Sequence, residues 1–195
     1  MIRIALLDDH PAVLTGLQRL LEPAHDMLVL AAAADEVALA RALDGIRADV
    51  LILDYDPAQG DALALCRRVK ARAGAAPRVL IYTAHVSPAL TIAARAAQAD
   101  GLLDKAAPAQ ALLDTIRRIA RGETVIPTVT RADFEAAVER LDDRDLPIFA
   151  MLLDGAPVPA IAEGMRTDER EAAWRAQKVV GRLTARSGRA GSRIA

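Results

Sequence analysis

The chain has 195 residues, 53% hydrophobic but only 3% aromatic, with a net charge of −1 and one cysteine. That length suits one large or two small domains, with a core built from Ala, Leu, Ile and Val rather than from rings. A lone Cys66 excludes an internal disulfide and fits a reducing cytoplasm, and no apolar run approaches the roughly 20 residues of a membrane span.

In chain order, the first 120 residues alternate short apolar runs with helical patterns. The opening run, Ile2 to Leu7, follows directly on Met1, without the basic-then-apolar layout of a signal peptide. Further runs are Met27–Leu30, Val50–Leu53, Val79–Tyr82 and Gly101–Leu103. They are too short for helices and most carry β-branched residues, which predicts strands buried on both faces. Between them apolar residues recur at helical spacing, as in Val13, Leu14, Leu17, Leu20 and Leu21. Pro11, Pro88 and Pro108 stand near helix starts, where a missing N–H does no harm, and Ser87 supplies an N-cap. Cys66 falls in an apolar helical stretch and reads as core. Five strand–helix units in succession predict an α/β fold, a doubly wound five-stranded parallel sheet with right-handed crossovers.

Gly122 follows the fifth helix, and the segment from Glu123 to Thr130 lacks helical periodicity. A helical pattern from Arg131 to Leu141 completes a linker at 122–140. From Asp142 onward the pattern is helical, with breaks at Gly155–Pro159 and Arg166–Thr167, which predicts three short helices without strands. Charge is divided unevenly along the chain. From Arg166 to Ala195 eight basic residues face three acids, a net +5, so the rest of the chain sums to −6. An acidic front and a basic end suggest two different partners.

In an open parallel sheet, ligands bind at the carboxyl ends of the strands. There the first strand ends in Asp8-Asp9, the third in Asp54, the fourth in Thr83, and the fifth runs into Asp104-Lys105. Any one of these is an ordinary turn or cap residue; their coincidence at four strand ends carries the signal. Two like charges about 4 Å apart interact by roughly 4 kcal/mol at an effective dielectric near 20, so clustered carboxylates need a cation. Oxygen donors with open positions for water and phosphate suit Mg²⁺. Asp54 is then a candidate nucleophile, Lys105 a neutralising ammonium, and Thr83 a hydroxyl donor to a transferred phosphoryl group.

These residues resemble the receiver domain of two-component response regulators across 1–121, and Leu6-Leu7-Asp8-Asp9-His10-Pro11 resembles the NarL/FixJ subgroup. The resemblance implies a flavodoxin-like fold, phosphorylation on Asp54 by a sensor histidine kinase, and Mg²⁺ held by Asp8, Asp9, Asp54 and the carbonyl of Asp56. Thr83 matches the switch hydroxyl and Lys105 the phosphate-binding lysine. The resemblance also implies no enzyme beyond self-phosphorylation and slow self-dephosphorylation. The pattern departs from the family at Ala58 and Ala62, with Pro57 and Gly60 nearby, at Leu102, where an aromatic ring is usual, and at Ala106.

From Leu141 to Leu183 the chain resembles, without gaps, the LuxR-type helix-turn-helix domain, which sets the last domain at 141–195. The resemblance rests on core and turn positions: Arg144, Asp145, Leu152, Gly155, Ile161-Ala162 and Leu183. In that architecture the helix from about Asp168 to Leu183 enters the major groove. Arg170, Arg175, Gln177, Lys178 and Arg182 are the candidate DNA contacts, with Arg186 and Arg189 extending the charge. The usual Thr-Val-Lys-x-His run is replaced by Glu171-Ala172-Ala173-Trp174-Arg175, with Trp174 expected to pack inward. The expectation is a cytoplasmic transcription regulator that acts on double-stranded DNA as a homodimer when active, with no membrane attachment. An altered recognition helix that holds a protein partner instead of DNA is the alternative. A Mg²⁺ phosphohydrolase could use the same carboxylates, but the loops after the strands are too short to cover a substrate.

Overall fold

The computed structural model describes residues 1–56, 62–71 and 76–185. Pro57, Ala58 and Gly60, and the basic Arg186, Arg189 and Arg193, lie outside the described residues. Five strands, β1 (Ile2–Leu7), β2 (Met27–Ala33), β3 (Val50–Asp54), β4 (Arg78–Thr83) and β5 (Gly101–Asp104), form one parallel sheet in the order β2-β1-β3-β4-β5. Helices α1 (Pro11–Leu21), α2 (Glu36–Ala42), α3 (Ala62–Lys70), α4 (Pro88–Ala96) and α5 (Ala109–Ala120) connect and follow them.

The two-residue period of a strand divides the core into two layers. Ile4, Leu6, Val50, Ile52, Leu80 and Tyr82 face α1 and α5, where Leu17, Leu21, Leu112, Ile116 and Ile119 meet them. Ala5, Leu51, Leu53, Val79 and Ile81 face the opposite way, toward α2, α3 and α4. Because both faces are covered, the strands read as unbroken apolar runs in the sequence. Gly101 opens β5 where a Cβ would stand 2.8 Å from the Leu80 side chain, so only glycine fits without displacing a core residue.

After α5 the chain returns to the sheet edge. Val125 bridges Gly101 in parallel, donating its N–H to Asp100 and accepting from Leu102. Four more helices follow: α6 (Arg131–Val138), α7 (Leu146–Leu153), α8 (Val158–Met165) and α9 (Glu169–Thr184). Thr130 and Asp133 close a reciprocal capping box on α6. Gly155, at φ +76°, takes the left-handed position just past α7.

The last helices share the core on one face of the sheet. Ala137 of α6, Ile148, Phe149 and Leu152 of α7, Ile161 of α8, and Ala172, Ala176, Val179, Val180 and Leu183 of α9 belong to the same buried cluster as α3 and α4. Helix α4 lies between the sheet and this layer, touching α6, α7 and α9, and Leu90, Thr91, Ile92, Ala93 and Ala94 are all buried. Its run of Ala allows close approach on both sides.

Candidate functional site

The carboxyl ends of β1 and β3 are adjacent in the sheet, so Asp8, just past β1, and Asp54, the last residue of β3, meet without any long excursion of the chain. Asp8, Asp9, His10 and Asp54 each offer a ligand atom, and these atoms lie within 4.8 Å of one another. Asp8 is 3% exposed and accepts the backbone N–H of His10 at 2.9 Å. The His10 ring sits 2.7 Å from an Asp9 oxygen by Nδ1. Lys105 reaches in from the loop after β5, with its Nζ 2.6 Å from Asp8 Oδ2 and 3.0 Å from Asp54 Oδ1.

Burial pushes the Asp54 carboxyl above its ordinary value; Lys105 opposes the shift by hydrogen bonding, while the negative charges of Asp8 and Asp9 reinforce it. Burial disfavours the Lys105 ammonium, but hydrogen bonds to Asp8 and Asp54 outweigh it, so the group is held above the ordinary lysine range. One ammonium among three carboxylates leaves net negative charge in a half-buried pocket. Hard carboxylate oxygens on one edge fit a divalent cation of the Mg²⁺ class.

Thr83 is fully buried. Its hydroxyl donates to the Tyr55 carbonyl at 2.7 Å and accepts the His85 N–H at 3.1 Å, which ties the β3 exit to the β4–α4 loop. The hydroxyl is therefore engaged at the exit of β3, one residue past Asp54. Tyr82 lies under Lys105, with its ring centroid 6.0 Å from Nζ and its Oη donating to the Lys105 carbonyl at 3.4 Å. Nothing in the sequence marked Tyr82 or the Tyr55 carbonyl, because both act through register rather than through residue type. Asp56 follows Tyr55 on the same loop.

The basic residues of α9 divide by helix face. Arg182 is turned to Asp142 and Asp145, bonding Asp142 at 2.5 Å, and Arg175 to Glu171 at 2.7 Å. Lys178 lies over Trp174, 4.8 Å from the ring centroid. Arg170 and Gln177 line a groove beside α3. Trp174 is not packed inward, as the sequence led us to expect, but is 55% exposed. Ala172, Ala176, Val179, Val180 and Leu183 recur at helical spacing and take the inner face, which puts position 174 on the outer one.

Comparison with known proteins agrees with this geometry. Residues 4–117 match the family described as the response regulator receiver domain. The transcriptional activator protein ExaE of Pseudomonas putida is 30% identical over 172 residues, covering 82% of this chain and 79% of its own length. The response regulator RamR of Streptomyces coelicolor is 32% identical over 165 residues, covering 83% and 79%. Among solved structures, the two-component response regulator RcsB in its complex with DNA superposes with a TM-score of 0.59 at 22% identity, over 93% of this chain and 91% of that one. The isolated receiver domain of RcsB from Salmonella enterica serovar Typhimurium gives 0.56 at 26% identity, over 65% and 93%. A sheet of this order, an acidic cluster at its carboxyl edge and these relatives lead to one conclusion: the chain belongs to the response regulator receiver family, and within it to the NarL/FixJ type.

Proposed function

We propose that a sensor histidine kinase phosphorylates Asp54 and that this controls transcription through DNA binding by α9, in the cytoplasm, with a homodimer as the active form. The observation that carries the reading is the convergence of Asp8, Asp9, Asp54 and Lys105 beside a buried Thr83. An Asp54 oxygen attacks the phosphorus of a phosphohistidine; the P–O bond forms as the P–N bond breaks, and the electron pair leaves on the imidazole nitrogen. Lys105, already 3.0 Å from Asp54, then neutralises the transferred group. Asp8, Asp9 and Asp54, with the carbonyl of Asp56, would hold Mg²⁺, which supplies charge neutralisation at the phosphoryl oxygens.

Thr83 is the link to the rest of the molecule. Turning its hydroxyl from the Tyr55 carbonyl toward the phosphoryl oxygens draws on the β4–α4 loop through His85. That loop leads into α4, which packs on α9. In this arrangement the outer face of α9, with Trp174 and Lys178, stays open to solvent. The relatives support the DNA assignment: RcsB is solved with DNA, and two RcsB dimers are solved on two parallel DNAs. The 141–195 boundary of the DNA-binding unit and the contacts at Arg170, Arg175, Gln177, Lys178 and Arg182 are part of this proposal. The test is phosphate uptake from a phosphorylated histidine kinase domain. Asp54→Ala abolishes it, and wild-type uptake by that variant would overturn the assignment.

A further inference from the structure

The groove between the receiver and α9 has an unusual charge distribution. Its volume is about 470 Å³, and it is lined on one side by Arg67, Arg68 and Lys70 from the last turn of α3, and on the other by Glu169, Arg170, Ala173 and Gln177 from α9. Four cations thus face one acid. Two of the cations are occupied: Lys70 bonds Asp100, and Arg68 bonds Glu36 on the exposed surface at 2.6 Å. The other two meet no carboxylate among the described residues. Arg67 is half-buried and donates to the Ala96 carbonyl at 3.2 Å. Burial pulls its guanidinium below the ordinary value, the direction expected for a cation drawn out of water.

The groove runs along the outward flank of α9. Arg170, Ala173 and Gln177 are exposed although they line it, and Ala173 offers no side chain to block it. In a helix-turn-helix the phosphate backbone runs beside the recognition helix on this kind of flank. The two walls are held together, since α3 and α9 belong to one buried cluster and Gln98, at φ +62°, donates to the Ala156 carbonyl across the groove. We propose that this groove receives the sugar-phosphate backbone of the bound duplex, with Arg67 and Arg68 of the receiver joining Arg170 as phosphate contacts. The receiver is then part of the DNA-binding surface. Giving up the exposed Arg68–Glu36 pair costs little, and Arg67 exchanges one carbonyl for a charge-assisted partner. This rests on the DNA-binding reading above.

The test is the salt dependence of duplex binding, read by fluorescence anisotropy of a labelled 30-base-pair genomic duplex. Each lost phosphate contact reduces the slope of log affinity against log salt by about 0.9. Arg67→Gln/Arg68→Gln is expected to lower the slope by about 1.8. Between 50 and 200 mM salt, roughly, the wild type then loses about 12-fold more affinity than the double variant. Circular dichroism checks that the variant is folded; if Arg67→Gln does not fold, Arg68→Gln alone is expected to lower the slope by about 0.9. Wild-type binding with an unchanged slope in the variants overturns the proposal and leaves the DNA reading standing. No binding by the wild type at low salt overturns both. Stabilisation by inorganic phosphate that needs Arg67, together with an unchanged duplex slope, assigns the groove to a free anion and also overturns the proposal.

Discussion

A core shared between the receiver and the C-terminal helices should make the chain open as one unit, and Phe149→Ala tests this. Phe149 lies in α7, is 3% exposed, and stacks on Phe134 of α6 with centroids 5.7 Å apart. Truncating a buried Phe to Ala costs about 3–5 kcal/mol in lost transfer free energy and residual cavity. The reporter lies in the other part of the molecule. Cys66 of α3 is the chain's one cysteine, is fully buried, and donates its thiol to the Ala97 carbonyl at 3.4 Å. Burial pushes that thiol up to about 12, so the native thiol is inert and labelling by a disulfide reagent passes through an opened chain. If opening is shared, even 3 kcal/mol raises the native-state labelling rate of Cys66 by roughly 150-fold, since 1.4 kcal/mol is a factor of about ten. A Cys66 rate within threefold of the wild type, alongside an earlier loss of helical circular dichroism, would refute the reasoning. The C-terminal helices would then melt from a receiver that stands by itself.

Two further outcomes separate transmission from chemistry and surface pairs from core. Thr83→Ala removes the hydroxyl that joins the Tyr55 carbonyl to the His85 N–H; Asp54 is expected to take up phosphate still, while phosphorylation no longer changes duplex affinity in an anisotropy titration. Asp49 is held below the ordinary carboxylate range chiefly by its hydrogen bond from Arg3, whose Nη2 lies 2.7 Å away. A depressed carboxylate stabilises the fold above its unfolded value near 3.8, and that contribution disappears as pH falls through the lower folded value. Asp49→Asn is therefore expected to be less stable than the wild type at pH 7, by under about 1 kcal/mol for an exposed pair, and equal to it in strong acid. Urea unfolding at both pH values checks the sign.

Much of the site was legible because its chemistry is carried by residue type at strand ends. A parallel sheet brings those ends to one edge whatever the details of the helices, so Asp8, Asp54, Thr83 and Lys105 could be grouped before any coordinates. Tyr82 was not legible, since its place beneath Lys105 follows from β3–β4 and β4–β5 register. His10 was only half legible: its position was plain, but its bond to Asp9 depends on the turn that leads into α1. In α9 the basic residues were visible as a stripe, whereas their partners were not. Arg182 is turned to Asp142 and Asp145, some forty residues back along the chain, a pairing that only tertiary packing creates.

By itself the sequence determined the element order, the α/β class and the set of groups at the carboxyl edge, because strand period, helix period and turn chemistry are local properties. Tertiary structure alone decided where the second helical layer sits. The Ala-rich, doubly apolar α4 could have ended at solvent or beneath another layer, and its sequence satisfies both. Burial of its outer face against α6, α7 and α9 selects the second, since exposed apolar area is covered wherever a complementary surface lies within reach.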